Sequence, residues 1–127
     1  MPWVPLADIL QELIKYKGLQ VAPAELEALL LSHPLILDAA VIGVEQDSTE
    51  VPRAYVVPAR DPKTMKPKIT EEEIKAFVML KASSHKQLRG GVVMIDVVPK
   101  SAAGKILRRE LRELVKKERQ SGLKAQL

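Results

Sequence analysis

Two hydrophobic periods alternate along this chain, and each change of period marks an element. Leu13 to Lys17 and Leu19-Gln20-Val21 are short mixed runs about Gly18, which predicts two short strands around a turn. Pro23 suits a first helical position. Leu26, Leu29 and Leu30 then share one helical face, and the helix should end before Pro34. Ala39 to Val44 reads as a buried strand. Gln46 to Glu50 reads as a turn, with Arg53 to Val57 pairing back more loosely than a two-residue hairpin would. Lys63 to Lys68 reads as a basic, solvated linker. Thr70 with Glu73 forms a capping box, and Ile74, Phe77 and Val78 supply the inner face of the next helix. Ser83 to Lys86 breaks that pattern, and Gly90-Gly91 precedes an apolar run from Val92 to Ile95 with Val97 and Val98. Leu107, Leu111, Leu114 and Val115 mark a last amphipathic helix, with Arg108, Arg109, Arg112, Lys116 and Lys117 on its other faces. The order β-β-α-β-β-α-β-α predicts an α+β domain, a small mixed sheet covered by about three helices.

Length and composition narrow the class. The chain has 127 residues, enough for one domain with its own core. Aromatic residues make up only 3%, so that core must be aliphatic. Cysteine is absent, which excludes disulfides and thiolate metal sites and fits a reducing compartment. No apolar run reaches membrane-spanning length, and no signal pattern precedes the first strand. An intracellular, cytoplasmic setting is therefore expected. Ala125-Gln126-Leu127 loosely resembles a peroxisomal tripeptide, whose middle residue should be basic, so the peroxisome stays open. The net charge of +4 is concentrated in 105–119, which holds seven basic and three acidic residues. A basic helix there can serve nucleic acid, a membrane surface or a polyanionic small molecule.

The stretch Val98-Pro99-Lys100-Ser101-Ala102-Ala103-Gly104-Lys105-Ile106-Leu107-Arg108-Arg109 holds the candidate chemistry. Pro99 stops a strand and Gly104 permits angles that side chains forbid. Lys105 follows where strand gives way to helix, beside backbone N–H groups that favour anions. On pattern alone it reads as an ordinary solvated lysine. A phosphate-binding P-loop does not fit, since that pattern needs two glycines and a Ser or Thr after the lysine. His33 and His85 have no ligand or nucleophile partners at useful spacing and read as structural.

The string from Pro99 to Leu111 closely resembles the last core motif of the acyl-adenylate-forming (ANL) superfamily. That superfamily includes acyl-CoA synthetases, coumarate–CoA ligases, luciferases and peptide-synthetase adenylation domains. Glu12-Leu13-Ile14-Lys15-Tyr16-Lys17-Gly18-Leu19-Gln20-Val21-Ala22-Pro23-Ala24-Glu25-Leu26-Glu27 resembles the segment after that superfamily's hinge. Both stand in the right order and separation. In those enzymes they belong to a small C-terminal domain, here 8–119, with 1–7 a disordered leading segment and 120–127 a frayed tail.

The resemblance implies roles residue by residue. Lys105 matches the adenylation lysine, which offsets repulsion between a carboxylate and the α-phosphate of ATP. Lys15 and Gln20 match positions around the adenylate in the thioester-forming step. Lys17 and Gly18 match the strip lining the CoA tunnel, and Asp8 matches the hinge acid. Pattern alone leaves Lys15 and Lys17 equally readable as an exposed strand face, on one side by alternation. The sequence departs from the family at Ile9 and Gln11, where Arg and Lys are usual, and at Ala103, where a hydroxyl is usual. The resemblance implies part of an AMP-forming acid–thiol ligase, inactive alone. ATP or AMP and CoA are its substrates with a carboxylic acid. The nucleotide pocket and Mg2+ belong to an N-terminal adenylation domain, which this chain lacks. No metal site, nucleic acid or membrane is implied. The alternative is a non-catalytic basic module binding nucleic acid or another polyanion through helix 105–119. Its three glutamates and the lack of clustered aromatics weigh against that. A surface-binding amphipathic helix is a third reading, but its leucines suit a core.

Overall fold

A computed structural model describes residues 13–126, with side chains described through Ser121. The leading segment 1–7, Asp8, Ile9, Gln11 and the final Leu127 lie outside the described residues. The elements are β1 (Ile14–Tyr16), β2 (Leu19–Val21), α1 (Pro23–Leu31), β3 (Ile36–Gln46), β4 (Thr49–Pro58), α2 (Glu71–Lys81), β5 (Val92–Met94) and α3 (Arg108–Gln126). A single 3-10 turn, Ser84–Lys86, precedes β5. The expected β-β-α-β-β-α-β-α order and the α+β class both hold.

The strands form two sheets. β1 and β2 make an antiparallel hairpin, and β3-β4-β5 form a mixed sheet, antiparallel between β3 and β4 and parallel between β4 and β5. Parallel pairing requires a crossover, which α2 supplies. Both faces of the mixed sheet are covered, which is why Ala39-Ala40-Val41-Ile42 is an unbroken buried run. Ala39, Val41, Ala54 and Val56 pack with Leu26 and Leu30 of α1, Ile74 and Val78 of α2, and Ile14 and Val21 of the hairpin. Ala40, Ile42, Val44 and Tyr55 pack on the other face with Val98 and with Leu111 and Val115 of α3.

Several boundaries differ from the sequence expectation, each for a local reason. β3 and β4 close through a tight two-residue turn, since Gln46 pairs with Thr49. Asp47 and Ser48 both have positive φ, 51° and 63°, as a type I′ hairpin requires. Asp tolerates that conformation although Gly is commoner, so the turn carries no glycine signal. β4 also begins before Pro52. Ala54 donates toward β5, to Gly91 O at 3.1 Å. Pro52, two residues earlier, therefore has its missing donor on that side, ahead of the β5 ladder. The apolar run after Gly91 divides: Val92 enters one core, Val98 the other, and Val97 is exposed, so β5 stops at Met94.

The basic loop is ordered rather than a plain linker. Asp61 Oδ1 accepts from the amides of Lys63 at 2.8 Å and Thr64 at 3.0 Å. The amides of Thr64 and Lys63 hold its carboxyl below the usual carboxylate range. Stabilisation from a lowered carboxylate pKa is present above its unfolded value and lost as the pH falls through the lowered one. The capping box of α2 is present, with Thr70 and Glu73 each accepting from the other's amide. At the other end of the chain the backbone of α3 stays helical to Gln126, past the Gln120 where fraying is expected.

Candidate functional site

Lys105 lies in a loop rather than at a helix start, because α3 begins three residues later at Arg108. The expectation of a basic helix from residue 105, with Lys105 beside free helical amides, is therefore corrected. The loop closes on itself. Ser101 N donates to Lys105 O at 2.8 Å, Gly104 N to Ser101 O at 2.9 Å, and Lys105 N to Ser101 Oγ at 3.2 Å. Lys100 and Ile106 pair as an isolated bridge beneath it. Gly104 has a φ of 84°, so the glycine in Gly-Lys is what lets the chain reverse. The amides of Ser101, Gly104 and Lys105 are spent inside the loop, and exposed Lys105 offers its ammonium to an anion.

Two ion pairs fix where that loop stands. Lys100 Nζ meets Asp38 Oδ2 at 2.7 Å, near the start of β3. Arg108 is not on an outer face. Its guanidinium reaches both carboxylate oxygens of Glu27 on α1, at 2.7 and 2.8 Å, and its Nε donates to Val41 O at 3.2 Å. Glu27 Oε2 also accepts from Val41 N at 2.8 Å. β3 is an edge strand, and Val41 turns both its backbone groups away from β4. The Glu27–Arg108 pair thus supplies the partners that a further strand would have supplied.

The second candidate group lies on the β1–β2 hairpin. Lys15 and Gln20 are direct cross-strand partners, both exposed, so their side chains share one face about 5 Å apart at Cβ. Lys17 is not a strand residue. With φ at 47°, and Gly18 at 82°, it forms the turn itself, so strand alternation does not place it beside Lys15. The turn brings them together instead. Lys15, Lys17 and Gly18 line one open concavity of about 770 Å³ with Glu45, Asp47, Ser48, Thr49 and Glu50. Its two lysines face three acids, so it holds no net positive field. Lys17 Nζ also stands 5.4 Å from the Tyr16 ring centroid.

The two lysine groups occupy opposite ends of β3. The Lys105 loop is tied to Asp38, and the hairpin is tied to Thr49 and Glu50, which pair with Gln46 and Glu45. Asp38 and Glu45 are on the order of 23 Å apart along an extended strand.

Residues 25–105 match the model of the AMP-binding enzyme C-terminal domain. The chain belongs to that family. Curated relatives agree with the assignment. A putative acyl-coenzyme A synthetase of Emericella nidulans is 51% identical over 85% of this chain and 19% of its own length. The luciferin 4-monooxygenase of Photinus pyralis is 48% identical over 92% and 20%. A 4-coumarate–CoA ligase-like protein of Oryza sativa is 50% identical over 85% and 19%. The chain thus spans about a fifth of the length of the curated relatives it matches. Among solved structures, a fatty acyl CoA synthetase of Mycobacterium tuberculosis superposes with a TM-score of 0.71 at 28% identity, over 83% of this chain and 20% of that one. The o-succinylbenzoate CoA synthetase of Bacillus subtilis, in complex with its acyl-adenylate intermediate, gives 0.69 at 29%, over 80% and 19%.

Membership accounts for the fold, and other polar residues have contacts within it. His33 Nδ1 accepts from Leu35 N at 3.0 Å, and its ring packs edge-on against Phe77. His85 sits in the 3-10 turn. Among the described residues no cluster of three or more His, Asp and Glu side chains is placed to hold a metal ion. No helix among them is long and apolar enough to cross a membrane. The basic helix α3 spends part of its charge internally, with Arg108 on Glu27 and Arg119 donating to Glu45 O at 2.8 Å. Pattern reading missed Glu27, Thr49, Glu50 and the inward turn of Arg108. One signal existed: Glu27 lies on the stripe Pro23, Leu26, Glu27, Leu30, an acid at an apolar position.

Proposed function

We propose that this domain is the mobile C-terminal domain of an ATP-dependent acyl-CoA synthetase, and that it serves each half-reaction with a different end. The observation that carries this is the separation of Lys105 from Lys15 along β3. One rigid domain cannot hold both against a single reacting centre, so both act only if the domain swivels between steps. Asp8 is the expected pivot, and an N-terminal adenylation domain the expected partner.

In the first step the substrate carboxylate attacks the α-phosphate of ATP, and pyrophosphate leaves. Both reactants are anions. The exposed ammonium of Lys105, held on its closed loop, offsets their repulsion and the charge developing on oxygen. In the second step a thiol attacks the acyl carbonyl, and AMP leaves with the electron pair of the cleaved bond. Lys15 and Gln20 would face the adenylate there, with Lys17 and Gly18 along the path of the CoA arm. The acids beside those lysines favour a role in guiding the arm over one in gripping its phosphates.

Nucleotide and acid pockets are expected on the partner domain, with any Mg2+. This chain by itself is therefore expected to form no acyl-CoA and to catalyse no ATP–pyrophosphate exchange with any carboxylic acid. Exchange above background, in the purified 127-residue chain, would overturn the division of labour proposed here.

A further inference from the structure

The β1–β2 hairpin carries Lys15, yet it is a separate two-stranded sheet. Two short strands alone are marginally stable in water at best. Among the described residues, no main-chain ladder joins the hairpin to β3-β4-β5. Side chains from the first two residues of β4 take that place. Thr49 Oγ1 donates to Lys15 O at 3.1 Å and accepts from Lys17 N at 2.9 Å. Glu50 Oε1 accepts from Lys15 N at 3.1 Å. Both backbone groups of Lys15 are thereby engaged, as a neighbouring strand would engage them.

The fit behind this clamp is close. Ile14 is buried, and a Cβ on Gly43 would lie 3.2 Å from Ile14 Cγ1 and 2.9 Å from Glu50 Oε2. The glycine is needed there for approach, because strand and carboxylate together fill the space a side chain would take. The tight Asp47-Ser48 turn fixes where Thr49 and Glu50 begin.

We infer that Thr49 and Glu50 are positioning residues for the thioester-forming step, an inference that rests on the reading of Lys15 above. Neither needs to touch a reactant. Lysine reaches its target through a long flexible stem, so the point from which it starts decides where its ammonium arrives. A displacement on the order of 1 Å can cost up to a hundredfold in rate. The clamp holds both backbone groups of Lys15 along one edge of the hairpin, at the end of β3 away from the Lys105 loop. Its loss should therefore be felt in one half-reaction only.

The test uses Thr49→Val and Glu50→Met in a full-length enzyme carrying this domain, with Thr49→Ser as the conservative variant and Lys15→Ala as reference. Thioester formation from supplied acyl-adenylate should slow about tenfold in the first two. Adenylation should stay within about twofold, and Thr49→Ser should restore the rate. In the 127-residue chain, amide exchange at Lys17 should quicken in Thr49→Val and at Lys15 in Glu50→Met. Equal losses in both half-reactions, or no recovery with serine, would overturn the clamp. An unimpaired Thr49→Val beside an impaired Lys15→Ala would overturn it and leave the reading of Lys15 standing. An unimpaired Lys15→Ala would remove that reading, and the clamp's purpose with it.

Discussion

Lys105→Ala, in a full-length enzyme carrying this domain, should lower the rate of adenylate formation about a hundredfold, on the order of 3 kcal/mol. Thioester formation from supplied acyl-adenylate should stay near its original rate. The expected size is that of one charge-assisted contact to a developing anion in the closed site proposed with the partner domain. The selectivity follows from the loop. The amides of Ser101, Gly104 and Lys105 bond within it, and Ala103 supplies no hydroxyl to take over from the lost ammonium. The loop's own hydrogen bonds use the backbone of residue 105 and not its side chain. Alanine therefore removes the charge and keeps the turn. The check is ATP–pyrophosphate exchange beside thioester formation in the same preparation. Lys105→Arg should recover little, because a planar guanidinium does not replace a compact ammonium on a fixed loop.

The second large effect is on stability. Removing either member of the Glu27–Arg108 pair should lower the unfolding free energy of this chain by about 3–5 kcal/mol. The side chains of Arg108 and Glu27 are only 13% and 9% exposed, so solvent screens them little. Glu27→Ala should be the more damaging, since Glu27 also accepts from Val41 N. It strips two hydrogen bonds from the guanidinium and one from a buried amide. Exchanging both members together, Glu27→Leu with Arg108→Met, should recover much of the loss, because no buried charge is then left without its counterpart. Urea denaturation of the three variants measures this directly. Losses below about 1 kcal/mol in each single variant would mean that the pair behaves as an ordinary surface bridge.

Much of this fold was legible in the chain, because its elements have strong local signatures. The Thr70–Glu73 capping box, Pro23 at a helix start and the Gly18 turn each act through neighbours in sequence. The resemblance of two motifs placed the domain in its family. What sequence could not supply were contacts between elements. Arg108 and Glu27 are 81 residues apart, and each looks like a solvated helix charge until the edge of β3 is known. The helical stripe of Leu107, Leu111, Leu114 and Val115 is turned by part of a helix face. Leu114 is 46% exposed, while Arg108 lies inside. Thr49 and Glu50 read as turn residues because the Asp47-Ser48 turn contains no glycine. The candidate site was legible only as isolated positions. The pairing of Lys15 with Gln20 needed only the Gly18 turn, but the concavity shared with Lys17 needed the tip of a second hairpin.

In the proposed cycle one domain presents Lys105 to one step and Lys15 to the other. The most direct measurement takes Lys105→Ala and Lys15→Ala side by side and times adenylation and thioester formation separately in each. A crossover is expected: the first variant should fail about a hundredfold in adenylation only, the second by a similar factor in thioester formation only. Parallel losses in both steps, accompanied by a lowered melting temperature, would contradict it and leave both lysines with a structural role.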